Sequence, residues 1–172
     1  MPSCYGAESG RLLGKMEPSF EKLLGLLAES GVQFLVVGGV AVTLHGYVRL
    51  TEDIDLLVST EARNLECLLA ALKRFGEGHA SELQPSDFDD SEGAIRIVEE
   101  SESCHVDLFT RMTGRRYADV VGDAEVFKLN GLEVRYASKD ALIAWKENSV
   151  RDKDRLDALA LRRLQTDSRA FD

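Results

Sequence analysis

The sequence predicts an α/β (α+β) domain in which a mixed β-sheet carries flanking helices. The chain has 172 residues, of which 44% are hydrophobic and 30% charged, ordinary values for one globular domain with a core. In its first half, apolar segments with helical spacing alternate with short apolar runs typical of buried strands. Two hairpin patterns and two further helical segments follow. The order α, β, α, β, α, ββ, ββ, α, α fits helices packed on a mixed sheet.

The elements of the first half are predicted from apolar spacing and from glycines that end each segment. Leucines and Phe20 keep a helical period, and Ser19 is positioned to cap their helix. The predicted segments are a helix over about 20–30, a strand over 33–37, a short helix over 40–45, a strand over 53–58 and a helix over 61–75.

The second half begins with an acidic stretch, 77–92, that contains Pro85 and few apolar residues. We expect this stretch to be a mobile loop outside the core. Hairpins are predicted over 94–98 with 104–109 and over 125–136, where Asn130-Gly131 is a strong two-residue turn signal. Ser138 is placed to cap a helix that runs through Glu147, and a last helix is predicted over about 152–164.

These segments divide the chain into four predicted parts. They are a flexible leader (1–16), the core of the domain (17–137), a C-terminal helical segment of the same domain (138–164) and a tail (165–172).

Charge and composition narrow the function classes. The formal net charge of −9 disfavours a general nucleic-acid binder, because a polyanion is repelled. Ten acids and one base, Arg96, lie between Glu77 and Asp107. The sequence has no apolar run of the roughly 20 residues that span a bilayer and no secretory signal pattern. Its three cysteines lack the spacing of a zinc or disulfide framework. We therefore expect a cytoplasmic protein without a membrane partner.

A strand that ends in Gly38-Gly39 and continues into a helix allows backbone amides to approach a phosphate. Glycines are equally common at turns for steric reasons alone, so the pair by itself is weak evidence.

Asp53 and Asp55 are two positions apart on a predicted strand, so both carboxylates point to one face. Carboxylate oxygens of this kind suit Mg²⁺ or Mn²⁺. Asp107 lies between Val106 and Leu108 on a later strand, where burial of a carboxylate is costly unless it is paired or metal-bound. Solvated acids at a strand start and an edge-strand aspartate are the structural alternatives.

The segment Gly38-Gly-Val-Ala-Val-Thr-Leu-His-Gly-Tyr-Val-Arg-Leu-Thr-Glu-Asp-Ile-Asp55, with Val-Asp107-Leu on a later strand, resembles the nucleotidyltransferase superfamily typified by DNA polymerase beta. Within that superfamily it is similar to the minimal, abortive-infection-type bacterial members of toxin–antitoxin loci. The likeness covers about residues 17–164 and is specific in its middle block. The resemblance implies the nucleotidyltransferase fold.

The resemblance also implies roles for individual residues. Asp53, Asp55 and Asp107 would be catalytic and would ligate Mg²⁺ or Mn²⁺, with Asp107 also acting as general base. Gly38 and Gly39 would hold the triphosphate of a bound NTP, although the family often has Gly-Ser there. The candidate basic contacts to the nucleotide are Lys146 and Lys153, and Arg49 is a candidate phosphate contact. Arg49 could equally pair with Glu52, and Lys153 could form ordinary ion pairs on a helix surface.

These residues imply an enzyme that moves a nucleoside monophosphate from an NTP to a hydroxyl group. The acceptor could be tRNA, a protein side chain or a small molecule, and the acidic chain favours the last two. A partner protein from a toxin–antitoxin pair is also implied. The alternative is a binding or regulatory module that keeps the fold but has little activity. A metal-dependent nuclease is disfavoured, because no Asp/Glu-x-Lys strand accompanies the aspartates.

Overall fold

The computed structural model describes residues 16–48 and 50–170. The helices in this part of the chain are α1 (Pro18–Glu29), α2 (Gly38–Leu44), α3 (Ala62–Leu72), α4 (Tyr117–Val120), α5 (Lys139–Glu147) and α6 (Asp152–Ala170). The strands are β1 (Phe34–Val37), β2 (Asp53–Val58), β3 (Ala94–Glu99), β4 (Cys104–Phe109), β5 (Glu125–Leu129) and β6 (Leu132–Tyr136). None of these helices combines the length and the apolar character needed to cross a bilayer.

The six strands form one mixed sheet in the order β3-β4-β2-β1-β6-β5. Strand β2 runs parallel to β4 and antiparallel to β1, and β1 runs parallel to β6. The outer pairs β3–β4 and β5–β6 are antiparallel hairpins. The predicted fold class, a mixed sheet with flanking helices, is confirmed.

The second hairpin forms for the reason that its turn sequence suggests. Asn130 and Gly131 adopt positive φ angles of 53° and 80°. Two consecutive positive φ angles match the right-handed twist of the flanking strands, and asparagine and glycine tolerate them best. Ser138 caps α5 as predicted, since its hydroxyl accepts a hydrogen bond from the backbone N–H of Ala141.

Several helix ends differ from the sequence prediction. Glu17, not Ser19, precedes α1, because Pro18 occupies the first helical position, where its missing N–H is not needed. Helix α2 begins at Gly38, two residues before the prediction. After Leu72 the helix α3 ends in a turn, in which the backbone N–H of Arg74 donates to the carbonyl oxygen of Ala71 three residues earlier. Helix α6 continues to Ala170, beyond the apolar positions that set its predicted end at 164.

The acidic stretch 77–92 was expected outside the core, and this expectation is wrong for two of its residues. Ala80 and Phe88 are buried in the hydrophobic core. The buried carboxylate of Glu99 also accepts hydrogen bonds from the backbone N–H groups of Glu77 and His79, at 2.8 and 2.9 Å. Two apolar side chains and one buried acceptor therefore hold this stretch against β3.

Strand β2 directs apolar side chains to the core from one face of the sheet and acidic side chains to the other face. Ile54 and Leu56 are fully buried, while Asp53 and Asp55 are partly exposed on the opposite face. The register then sets the neighbours of the acids, because Asp55 pairs with Asp107 of β4 and with Val37 of β1. The three aspartates thus share one sheet face beside the β1–α2 junction.

Candidate active site

Asp53, Asp55 and Asp107, here called the aspartate cluster, converge on one point of the sheet. Asp55 and Asp107 are directly opposite each other on parallel strands, and Asp53 lies two positions before Asp55. The Asp55 and Asp107 side chains are joined by a hydrogen bond. The periodicity of β2 predicts the first pair, and the pairing of β2 with β4 adds the third carboxylate.

Arg96 on β3 is the cation of this cluster. Its Nε and Nη2 atoms donate to Oδ1 and Oδ2 of Asp107, each at 2.9 Å. Nη2 also donates to Oδ2 of Asp53 at 3.0 Å. The guanidinium thus forms a bidentate pair with one carboxylate and bridges to a second. These contacts, with the hydrogen bonds to Asp107 foremost, raise the pKa of Arg96.

His105 lies on the other side of Asp53. Its Nδ1 atom is 3.2 Å from Oδ1 of Asp53, and it faces Asp53 in the β2–β4 register. His105 lies two positions before Asp107 on β4, so the two side chains share one face of the sheet. The contact assigns it to the edge of the aspartate cluster.

Asp55 has the perturbed acidity in the cluster. Burial raises the pKa of Asp55 to about 7, and repulsion from Asp107 and Asp53 adds to the shift. The ammonium of Lys146 opposes the rise. Crowded carboxylates raise one another's pKa in this way. The dominant cause, however, is desolvation rather than charge.

Gly38 permits the close approach of α2 to the cluster. Its φ is +66°, a backbone conformation that favours glycine, and a Cβ atom there would lie 2.0 Å from Oδ2 of Asp55. Gly38 is therefore needed both for its backbone angle and for the space that the carboxylate fills. Gly39 follows in the first turn of α2 and is buried.

Lys146, at the end of α5, is buried and held by two carboxylates of α6. Its Nζ atom lies 2.9 Å from Oδ2 of Asp157 and 3.1 Å from Oδ1 of Asp154. The Asp157 side chain is only 1% exposed. Asp154, which follows Lys153 in the sequence, pairs with Lys146 across two helices.

Lys153 lies in a different environment from Lys146. It is exposed on α6, which begins at Asp152, whereas Lys146 belongs to α5. The two lysines do not share a continuous helix, because Asn148 to Arg151 separate α5 from α6. Arg49, the third basic candidate, lies outside the described residues.

The donor chemistry of the aspartate cluster suits a hard divalent cation, since all three groups supply carboxylate oxygens. Burial, with repulsion from Asp107 and Asp53, raises the pKa of Asp55 although the Lys146 ammonium opposes the rise. However, Arg96 occupies both oxygens of Asp107 and one of Asp53. In the part of the chain that the structure describes, no group of three His, Cys, Asp or Glu side chains has the arrangement of a metal site. The residues fit a divalent cation in chemistry, with Arg96 lying on part of the ligand set.

Arg96 and the lysine-binding aspartates were missed by sequence reasoning. Arg96 was noted only as the single base in a run of acids. The signal that identifies it is the register of the first hairpin, in which Arg96 faces Asp107. Asp157 has no comparable signal, because its partner lies on another helix.

Comparison with known proteins gives two findings. The model of a family described as "Nucleotidyl transferase of unknown function (DUF2204)" matches residues 17–170. Among solved structures, the chain is similar to an antigenic nucleotidyltransferase-like protein from Paracoccidioides brasiliensis, with a TM-score of 0.49 and 17% sequence identity over 83% of this chain and 75% of that chain. No curated protein matches the chain.

Proposed function

Since the chain belongs to this family of nucleotidyl transferases of unknown function, we propose that it moves a nucleoside monophosphate from an NTP to a hydroxyl group, with Mg²⁺ or Mn²⁺ at the aspartate cluster. The observation that carries the proposal is the convergence of Asp53, Asp55 and Asp107 on one sheet face beside Gly38. A site for phosphoryl transfer needs carboxylates to hold the cation and an open backbone turn nearby for the phosphates.

Each residue has a definite part in this proposal. Asp53 and Asp55 would hold the cation, and Asp107 would complete the ligand set and accept the proton of the attacking hydroxyl. The hydroxyl oxygen bonds to the α-phosphorus of the NTP as the bond to the leaving pyrophosphate breaks. When bound, a divalent cation supplies positive charge to the reacting phosphate. Gly38 and Gly39 bring backbone amides to the triphosphate.

The basic candidates contribute unequally. Lys146 adds a fixed positive charge beside Asp55, and Asp154 and Asp157 keep its ammonium in place. A fixed charge in a largely buried position stabilises developing negative charge better than a mobile surface group. Lys153 is exposed and is assigned to a longer-range contact with the nucleotide. Arg49 is kept as a candidate phosphate contact on the sequence resemblance alone.

The acceptor is a hydroxyl of RNA, of a protein or of a small molecule. The net charge of −9 favours the latter two, since a polyanionic acceptor is repelled. A cytoplasmic protein of a toxin–antitoxin pair, acting with a partner protein, remains part of the proposal on the sequence resemblance alone.

The test uses the full chain with each NTP labelled at the α-phosphate, Mg²⁺ and a cell lysate. The proposal predicts label in RNA, protein or a small-molecule product, and none when the label is on the γ-phosphate. Asp53→Asn and Asp55→Asn should abolish incorporation, while Asp123→Asn, which alters an exposed acid outside the site, should not. Label from the γ-phosphate, or equal incorporation by the site variants, would contradict nucleotidyl transfer at this cluster.

A binding or regulatory module is the second candidate function, and Arg96 is the observation that favours it. Because the guanidinium already neutralises part of the cluster, the fold is held together there without a metal. The labelled-NTP experiment separates the two functions, since a module of this kind would bind NTP without transferring the α-phosphate.

A further inference from the structure

Arg96 and a divalent cation require the same oxygens. The guanidinium forms three hydrogen bonds, at 2.9, 2.9 and 3.0 Å, with both oxygens of Asp107 and with Oδ2 of Asp53. A hard cation bound by Asp53 and Asp107 would use these oxygens directly. Two positive groups that share the same ligands repel each other, so both cannot occupy the position together.

We propose that Arg96 is an internal cation that competes with the divalent metal for Asp107 and Asp53. This inference rests on the proposed function, because it assumes that the aspartate cluster is the metal site. Binding of the metal through Asp107 then requires Arg96 to leave its bidentate contact. Arg96 thereby sets how readily the site takes up metal.

The position of Arg96 in the fold supports such an exchange. Strand β3 lies at the edge of the sheet, and the Arg96 side chain is 52% exposed, so water and space are available for the guanidinium to swing outward. Asp107, in contrast, is on the inner strand β4 with only 10% of its side chain exposed. The carboxylate is therefore fixed, and the arginine is the partner that can move.

The register shows that this contact is built into the sheet. Arg96 faces Asp107 across β3 and β4, and Asp107 faces Asp55 across β4 and β2. The backbone register thus places Arg96 directly opposite Asp107, within reach of its carboxylate.

The competition is tested by measuring Mn²⁺ binding, which needs no turnover. Electron paramagnetic resonance reports binding as a loss of the signal of free Mn²⁺. Arg96→Met keeps most of the aliphatic side chain but removes the guanidinium. We expect its Mn²⁺ dissociation constant to be at least about tenfold lower than that of the wild type, a difference of about 1.4 kcal/mol. Arg96→Lys, with one compact ammonium in place of a fork, should lie between the two. It also keeps the test open if the methionine variant does not fold.

The matched control is Arg116→Met. Arg116 is 51% exposed and pairs with Asp90, away from the cluster, so its loss should leave Mn²⁺ affinity unchanged. Equal or weaker Mn²⁺ binding by folded Arg96→Met and Arg96→Lys, relative to the wild type, would overturn the competition while leaving the metal site in place. No Mn²⁺ binding by any of the proteins would overturn the metal site and the competition together.

Discussion

The aspartate cluster places three carboxylates beside one guanidinium, that of Arg96. If all groups were ionised, its own charge would be negative, and repulsion would fall most heavily on Asp55, which Arg96 does not contact among the described residues. Proton uptake by Asp55 is one way to relieve this repulsion, and metal binding is another. Because the pKa of Asp55 is about 7, proton uptake and metal binding compete near neutral pH.

The sign of the pH effect follows from the direction of this shift. The pKa of Asp55 in the folded protein, about 7, lies above its ordinary value of 3.8. Between these two pH values the folded chain holds a proton at Asp55 that the unfolded chain has released. The contribution of Asp55 to the free energy of unfolding therefore falls as the pH rises through this window.

Asp55→Asn should raise the melting temperature in EDTA at pH 8, because the amide removes the buried charge and can still donate to Asp107. We expect a gain of about 2–4 °C, the shift that about 1 kcal/mol produces in a chain of this size. The gain should shrink towards zero at pH 4.5, where Asp55 of the wild type is protonated. Melting curves across this pH range check the prediction, and a gain that does not vary with pH would contradict the cause assigned to it.

Gly38→Ala should destabilise the fold more than the same change at a glycine that also has a positive φ but has free space around it. Gly131, with φ of +80° and no atom within 4 Å of an added Cβ, provides that control. We expect Gly131→Ala to cost about 1–2 kcal/mol through its backbone angle alone. The Cβ at position 38 meets Asp55, which should add about 1–3 kcal/mol of overpacking. Urea denaturation of both variants measures the difference, and equal losses would show that the carboxylate moves aside freely.

Among the elements, the hairpins could be predicted from the sequence, whereas the contacts between the helices α5 and α6 could not. The strands are readable because apolar runs and turn residues are local signals, as Asn130-Gly131 shows. The partner of Lys146 could not be predicted from the sequence, because its pairing with Asp157 depends on how the two helices pack. Arg96 lies between these cases, since its partner follows from the exact register of a hairpin whose turn length the sequence does not define.

Lys146→Met should lower the free energy of unfolding by about 3–5 kcal/mol, because it leaves the buried carboxylate of Asp157 without this cation. Lys153→Met is the matched control and should change the stability by no more than about 0.5 kcal/mol, since Lys153 is exposed. Urea denaturation measures both. Similar stabilities of the two variants would show that the α5–α6 ion pairs do not form in solution.

At the scale of the molecule, the sheet order brings together residues that are far apart in the sequence. Strand β4 pairs with β2 and not with its neighbour β5, so Asp107 reaches Asp55 across a separation of about fifty residues. The mixed sheet and its strands could be predicted from patterning, and the family resemblance anticipated the aspartate cluster. The anchoring of the 77–92 stretch could not be predicted, because two apolar residues among many acids give little sequence signal. The structure shows that these residues, Ala80 and Phe88, lie in the core.

The most direct test of the central claim is a crystal structure with Mn²⁺ and a non-hydrolysable NTP, with the metal located by its anomalous scattering. We expect a Mn²⁺ peak within about 2.5 Å of carboxylate oxygens of Asp53 and Asp55. We also expect the triphosphate to lie beside Gly38 and Gly39. A nucleotide bound at another surface, with no Mn²⁺ at Asp53 and Asp55, would contradict the assignment of this cluster as the active site.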